Sequence, residues 1–129
     1  MQYMALIYGN EEAWSGFSEE QRVAAYDQYR AFGREAEEAG VLAGGNELGP
    51  TRDATTVRVR DEETLVTDGP YAEVKEALGG FYLLECKDLD EALEYAKKIP
   101  FKNGSVEVRP VMVFEGAGSE NAAETATAS

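Results

Sequence analysis

The chain is 129 residues long, enough for one domain around one core, and carries a net charge of −13 from 25 acidic and 12 basic residues. That charge repels phosphate backbones, so nucleic acid is not expected as a partner. The complete absence of histidine removes Ser-His and Cys-His nucleophilic systems, imidazole acid–base catalysis and histidine-ligated zinc.

Gln2 to Tyr8 is a short run of strand formers closed by Gly9-Asn10, and it predicts a first strand. Glu11 to Phe17, with Trp14 and Phe17, reads as a loop. Ser18-Glu19-Glu20-Gln21 has the form of a capping box, and Ala25, Tyr29, Phe32, Ala36 and Ala39 follow at helical spacing. Val23 and Tyr26 widen that stripe, and Gly40 stops the helix.

Val41 to Gly45 predicts a second, glycine-broken strand running toward Leu48. Ala54 to Arg60 and Thr64 to Thr67, separated by Asp61-Glu62-Glu63, predict a hairpin. Phe81 to Cys86 predicts another strand. Asp88-Leu89-Asp90-Glu91 opens a second helix, whose apolar face would be Leu89, Ala92, Leu93, Ala96 and Ile99, with Lys97-Lys98 in its last turn and Pro100 as its end. Ser105 to Phe114 reads as the last strand.

This order, β-α-β, hairpin, β-α-β, predicts an α+β, ferredoxin-like (split βαβ) antiparallel sheet with two helices on one face and an inserted hairpin. The domain would occupy residues 1–114. Residues 115–129 are Ala, Gly, Ser, Thr, Glu and Asn without a large apolar side chain, and are expected to form a disordered tail. Three strands alternate apolar residues on both faces, while two helices cover one. A second copy of the chain, a homodimer, is the expected cover for the other.

No segment approaches the roughly 18 apolar residues of a membrane span. Met1 to Tyr8 lacks the basic start and cleavage site of a signal peptide, and the lone Cys86 cannot form an internal disulfide. No membrane association and a cytoplasmic location are expected. The acidity fits a solvated surface or adaptation to high salt.

The most unusual segment is Asp68-Gly69-Pro70-Tyr71-Ala72-Glu73-Val74-Lys75-Glu76. It resembles the DGPFAETKE signature of the DGPF branch of the YCII-related proteins, departing only at Tyr71 and Val74. The resemblance extends to Met4-Ala5-Leu6-Ile7-Tyr8-Gly9, Gly44-Gly45-Asn46-Glu47-Leu48, Ala54-Thr55-Thr56-Val57-Arg58, Leu78-Gly79-Gly80-Phe81-Tyr82-Leu83 and Val106-Glu107-Val108-Arg109-Pro110-Val111. It implies a dimeric α/β barrel, with two sheets packed around a cavity of small-molecule size. Members of this branch are often encoded beside extracytoplasmic-function sigma factors. Better-known YCII-like proteins resemble small lyases and isomerases thought to use a histidine with an aspartate, chemistry this histidine-free chain cannot inherit.

Two functions stay open: a cofactor-free lyase or isomerase on a small carbonyl compound, and a non-catalytic ligand-binding or regulatory partner module. No metal and no cofactor are expected, because only hard cations on carboxylates would suit these side chains. Asp68 and Glu73 are the candidate catalytic bases, if burial and mutual repulsion raise their pKa. Lys75 and Arg109 are candidate anion binders, Tyr71 a hydrogen-bond donor, and Tyr8 and Glu76 candidate lining residues. Asp68, Glu73, Lys75 and Arg109 are expected to form one charged cluster. The plainer alternatives are a turn cap at Asp68, ion pairs among the remaining charges, and core packing for Tyr8 and Trp14.

Overall fold

A short apolar strand, β1 (Gln2–Gly9), runs through the interior of the main sheet and ends at Gly9-Asn10. The structure, a computed structural model, describes residues 1–113. Asn10 caps a short helix, α1 (Glu11–Ser15), its side-chain oxygen accepting from the Ala13 amide at 3.1 Å. Glu11 and Glu12 lie in the first turn, where the helix dipole favours acids. The loop expected over Glu11 to Phe17 is therefore partly helical, because Asn10 starts a helix as well as stopping a strand.

The second helix, α2 (Glu19–Glu38), opens on the expected capping box. Ser18 Oγ accepts from the Gln21 amide at 3.1 Å, and Gln21 Oε1 accepts from the Ser18 amide at 2.8 Å. Gly40 follows the helix at φ 74°, a left-handed conformation that glycine adopts without strain.

The remaining elements are β2 (Leu42–Glu47), β3 (Thr55–Arg60), β4 (Glu63–Asp68), β5 (Ala77–Glu85), α3 (Leu89–Ala96) and β6 (Ser105–Pro110). The main sheet has the order β2-β5-β1-β6 with every pair antiparallel, and β3-β4 forms a separate two-stranded ribbon. Each βαβ unit thus leaves a gap that a strand of the other fills. This is the ferredoxin-like arrangement, with the hairpin inserted between β2 and β5. The sheet is open at β2 and β6, so no barrel closes within one chain.

Register explains the core. Tyr3 and Ala5 of β1 sit opposite Leu84 and Tyr82 of β5 and Pro110 and Val108 of β6, all turned toward the helices. Phe32 and Ala36 of α2 and Ala92 and Ala96 of α3 meet them, joined by Val41, Cys86 and Ile99. Ala5, Ala36, Ala92 and Leu84 are completely buried. Burying Leu84 alone contributes about 1.5–3 kcal/mol, and Phe32 packs on Tyr82 with ring centroids 5.0 Å apart.

Several boundaries depart from expectation. β5 begins at Ala77, four residues early, because Ala77 and Leu78 still pair with Gly9 and Tyr8. The two-turn α3 ends at Ala96 with Lys97 as its cap, so Lys98 lies beyond it. Leu89 and Leu93 are exposed, as is Val23 of α2, since each helix presses only a narrow stripe of small or aromatic residues onto the sheet. β6 stops at Pro110, which has no amide to extend a ladder, although the Val111 amide still donates to the Gln2 carbonyl at 2.9 Å. Phe114 and the tail expected over residues 115–129 lie outside the described residues.

The early end of β6 changes the reading of the uncovered face. Its outward residues are Ser105, Glu107 and Arg109, so apolar residues on that face come from β1 and β5. Among the described residues no helix is long and apolar enough to cross a membrane.

Candidate functional site

The hairpin turns through Asp61 and Glu62, both at positive φ (49° and 75°), the primed two-residue turn whose twist suits antiparallel strands. Cross-strand register puts Thr56 opposite Thr67 and Arg58 opposite Leu65 on one face. That face holds the motif. Thr56 Oγ1 donates to the Gly69 carbonyl at 2.7 Å, and the Gly69 amide donates to the Ala54 carbonyl at 2.7 Å. The Arg58 guanidinium donates to Thr67 Oγ1 at 3.3 Å and to the Tyr71 carbonyl at 2.6 Å. Gly69 adopts φ 102°, which a side chain would strain. Asp68-Gly69-Pro70-Tyr71 is therefore folded back on the ribbon by hydrogen bonds from β3.

The loop leaves the ribbon toward one end of the main sheet. Ser105 Oγ, at the start of β6, donates to the Glu76 carboxylate at 3.1 Å. Ser105 is the register partner of Tyr8, and Ala77 pairs with Gly9. At the other root of the hairpin, the Glu11 carboxylate accepts from the Thr51 amide at 3.0 Å and from Thr51 Oγ1 at 3.1 Å. Both ends of the inserted segment are thus tied to the βαβ body.

On the sheet face away from the helices, Met4 and Leu6 of β1 lie beside Leu83 and Phe81 of β5, all four half-buried. Glu107 and Arg109 flank them in register with Leu6 and Met4. The result is an apolar strip with a charged margin on β6.

The sequence-derived candidates are distributed unevenly over this frame. Asp68, Tyr71, Glu73, Lys75, Glu76 and Arg109 are exposed, and Tyr8 is half-buried. Glu76 and Tyr8 meet around Ser105. Arg109 lies four residues further along β6, about 13 Å at strand rise. Ion pairs among the described residues join Met1 to Glu85, Arg30 to Asp27 and Lys98 to Glu35. None joins Asp68, Glu73, Lys75 and Arg109, so one chain does not draw those four into a paired cluster. Arg109 is exposed and has no buried charge to offset.

Thr56, Arg58 and Ser105 are not among the site residues expected from the sequence, although Thr56 and Arg58 lie in the Ala54–Arg58 segment of the resemblance. Alternation along Thr56-Val57-Arg58-Val59-Arg60 marks a polar face, but nothing in it says that the following loop folds onto that face.

Trp14 belongs to a satellite cluster, with its ring 5.3 Å from Phe17 and 5.5 Å from Tyr26, and with the Arg22 guanidinium over it. The Tyr26 hydroxyl donates to the Glu47 carboxylate at 3.2 Å and so fastens α2 to β2. Burial pushes the pKa of Tyr29 up to about 12, with Tyr82 and Glu47 adding to the rise, and burial also raises that of Tyr82. The Cys86 thiol is raised chiefly by burial and then by Glu91, which keeps it protonated and unreactive. Among the described residues no group of three or more Cys, Asp or Glu side chains is placed to hold a metal ion.

Comparison with known proteins agrees with this architecture. The family model for the YCII-related domain matches residues 1–115. An uncharacterized protein of Rhizobium meliloti (strain 1021) is 42% identical over 118 residues, spanning 89% of this chain and 95% of that protein. The fold, the motif and a match over nearly the whole described chain make this protein a member of the YCII-related domain family.

Proposed function

We propose that the protein is a homodimer that binds a small organic molecule between the uncovered faces of two sheets, close to the loop of residues 68–76. The observation that carries this reading is the strip of Met4, Leu6, Phe81 and Leu83, which faces away from both long helices and is bordered by Arg109 and Glu107. An apolar floor with a few polar groups at its margin is the usual composition of a small-molecule site. Arg109 is the group suited to a carboxylate or enolate, and Tyr8 and Glu76 stand at the opposite end of the strip.

Binding is better supported than catalysis. Asp68 and Glu73 are solvent-exposed in one chain, and a carboxylate works as a base near neutral pH when burial raises its pKa. A cofactor-free lyase or isomerase therefore requires that the second copy or the ligand cover one of them.

The test is a thermal-shift screen of organic acids and phenols on the full chain, with light scattering to establish mass. Twice 14.1 kDa is the expected mass. A hit whose stabilisation is lost in Arg109→Gln and in Leu83→Ser supports the reading. A monomeric mass, or hits indifferent to both substitutions, overturns it.

A further inference from the structure

The two faces of the β3–β4 ribbon have different surroundings. One is covered at its Thr56–Thr67 end by the chain's own loop, through Thr56 and Arg58, while Leu65 on it stays 57% exposed. On the other, alternation and register align Thr55, Val57 and Val59 with Asp68, Val66 and Thr64, and every one of these is exposed. Val57 and Val66, directly opposite each other, are 60% and 61% exposed, and Val59 is 62% exposed. Five of the six residues are β-branched, a composition that favours strands when it packs against another surface. A two-stranded ribbon alone is marginally stable in water.

We infer that this bare face packs against a second copy of the chain, extending the contact made by the open sheet. The inference rests on the dimer reading above. Residues 114–129 offer only Phe114 as a large apolar side chain, a poor match in composition for three valines. Size argues the same way. A stable dimer needs roughly 20–30 residues a side. Strands of 6 to 9 residues turn every second residue outward, so the open sheet supplies only about fourteen. The ribbon face makes up much of the difference.

Charge bears on the choice of partner. The face holds no lysine or arginine, and its one charged residue, Asp68, stands at its end. It suits an apolar counterpart beside the sheet-to-sheet contact, which the strip of Met4, Leu6, Phe81 and Leu83 already occupies. Two chains of net charge −13 repel each other, so their association has to come from apolar contact and should tighten as salt screens the repulsion.

The test is sedimentation over a dilution series of the full chain and of the double variant Val57→Thr, Val66→Thr, which keeps β-branching and shape. The expected result is a wild-type dimer that tightens with added sodium chloride, and a dissociation constant raised about tenfold or more in the variant. Hydrogen exchange on the wild type gives an independent reading, with protection of residues 55–59 and 64–66 falling on dilution. An unchanged constant with concentration-independent ribbon protection overturns the inference. The dimer reading then stands if Leu83→Ser still weakens association. A wild-type monomer at every concentration overturns both.

Discussion

Arg58 donates from one guanidinium to the Tyr71 carbonyl at 2.6 Å and to Thr67 Oγ1 at 3.3 Å, so a single side chain spans the ribbon and the motif. A planar fork can serve both acceptors, whereas an ammonium is a point donor. Arg58→Ala is expected to speed tryptic cleavage after Lys75 several-fold while costing at most about 1–2 kcal/mol of global stability. Arg58→Lys should fall between the two. Cleavage at the wild-type rate in Arg58→Ala would mean that Thr56 and Gly69 hold the loop without it.

Gly104 approaches the end of β1 closely enough that an added Cβ would overlap the Tyr8 carbonyl, whereas a Cβ at Gly9 meets nothing within 4 Å. Gly104→Ala should therefore lower stability by about 1–3 kcal/mol, and Gly9→Ala should stay within about 0.5 kcal/mol. Paired urea denaturation curves measure both. Equal effects would show that the start of β6 yields easily.

The pKa of Tyr29, raised to about 12 by burial, makes stability depend on pH at the alkaline end. The unfolded chain loses this proton near pH 10 and the folded protein near 12. Below 10 the contribution is fully present; between 10 and 12 it is lost as the unfolded state ionises first. Ultraviolet titration should show late-ionising tyrosine, and Tyr29→Phe should flatten the decline in melting temperature over that window.

Ser18→Ala removes the oxygen that accepts from the Gln21 amide at the start of α2. A loss of about 1 kcal/mol is expected, and Ser18→Asp should retain most of the stability because an aspartate oxygen caps equally well. Thermal melts of the two variants decide the matter.

The architecture was legible in the sequence because its signals are local. Ser18 and Gln21, the turn after Arg60 between β-branched runs (one residue shorter than expected, since Glu63 opens β4), and Asp88 three residues before Glu91 each mark a boundary that the backbone obeys. Errors arose where a local signal had two meanings. Asn10 ends a strand and starts a helix; Leu89 and Leu93 have helical spacing, yet the smaller Ala92 and Ala96 face the sheet. The site was less legible. The motif's charged residues stand out by type, but Arg58, Thr56 and Ser105 are defined by tertiary partners 9 to 29 residues away. Spacing alone contains no trace of such contacts.

Ala5, Ala36 and Ala92 form a fully buried layer between the sheet and the two longer helices. A methyl group there is already in contact on every side, so each added carbon must push a helix outward or be refused. These positions leave descendants of the chain little freedom to drift, whereas the outward leucines of α3 can be replaced with small effect. Divergence within such a protein should accordingly gather on the solvent side of its helices and leave a thin conserved seam beneath them, one that an alignment of relatives would reveal as invariant small residues rather than as large hydrophobic ones.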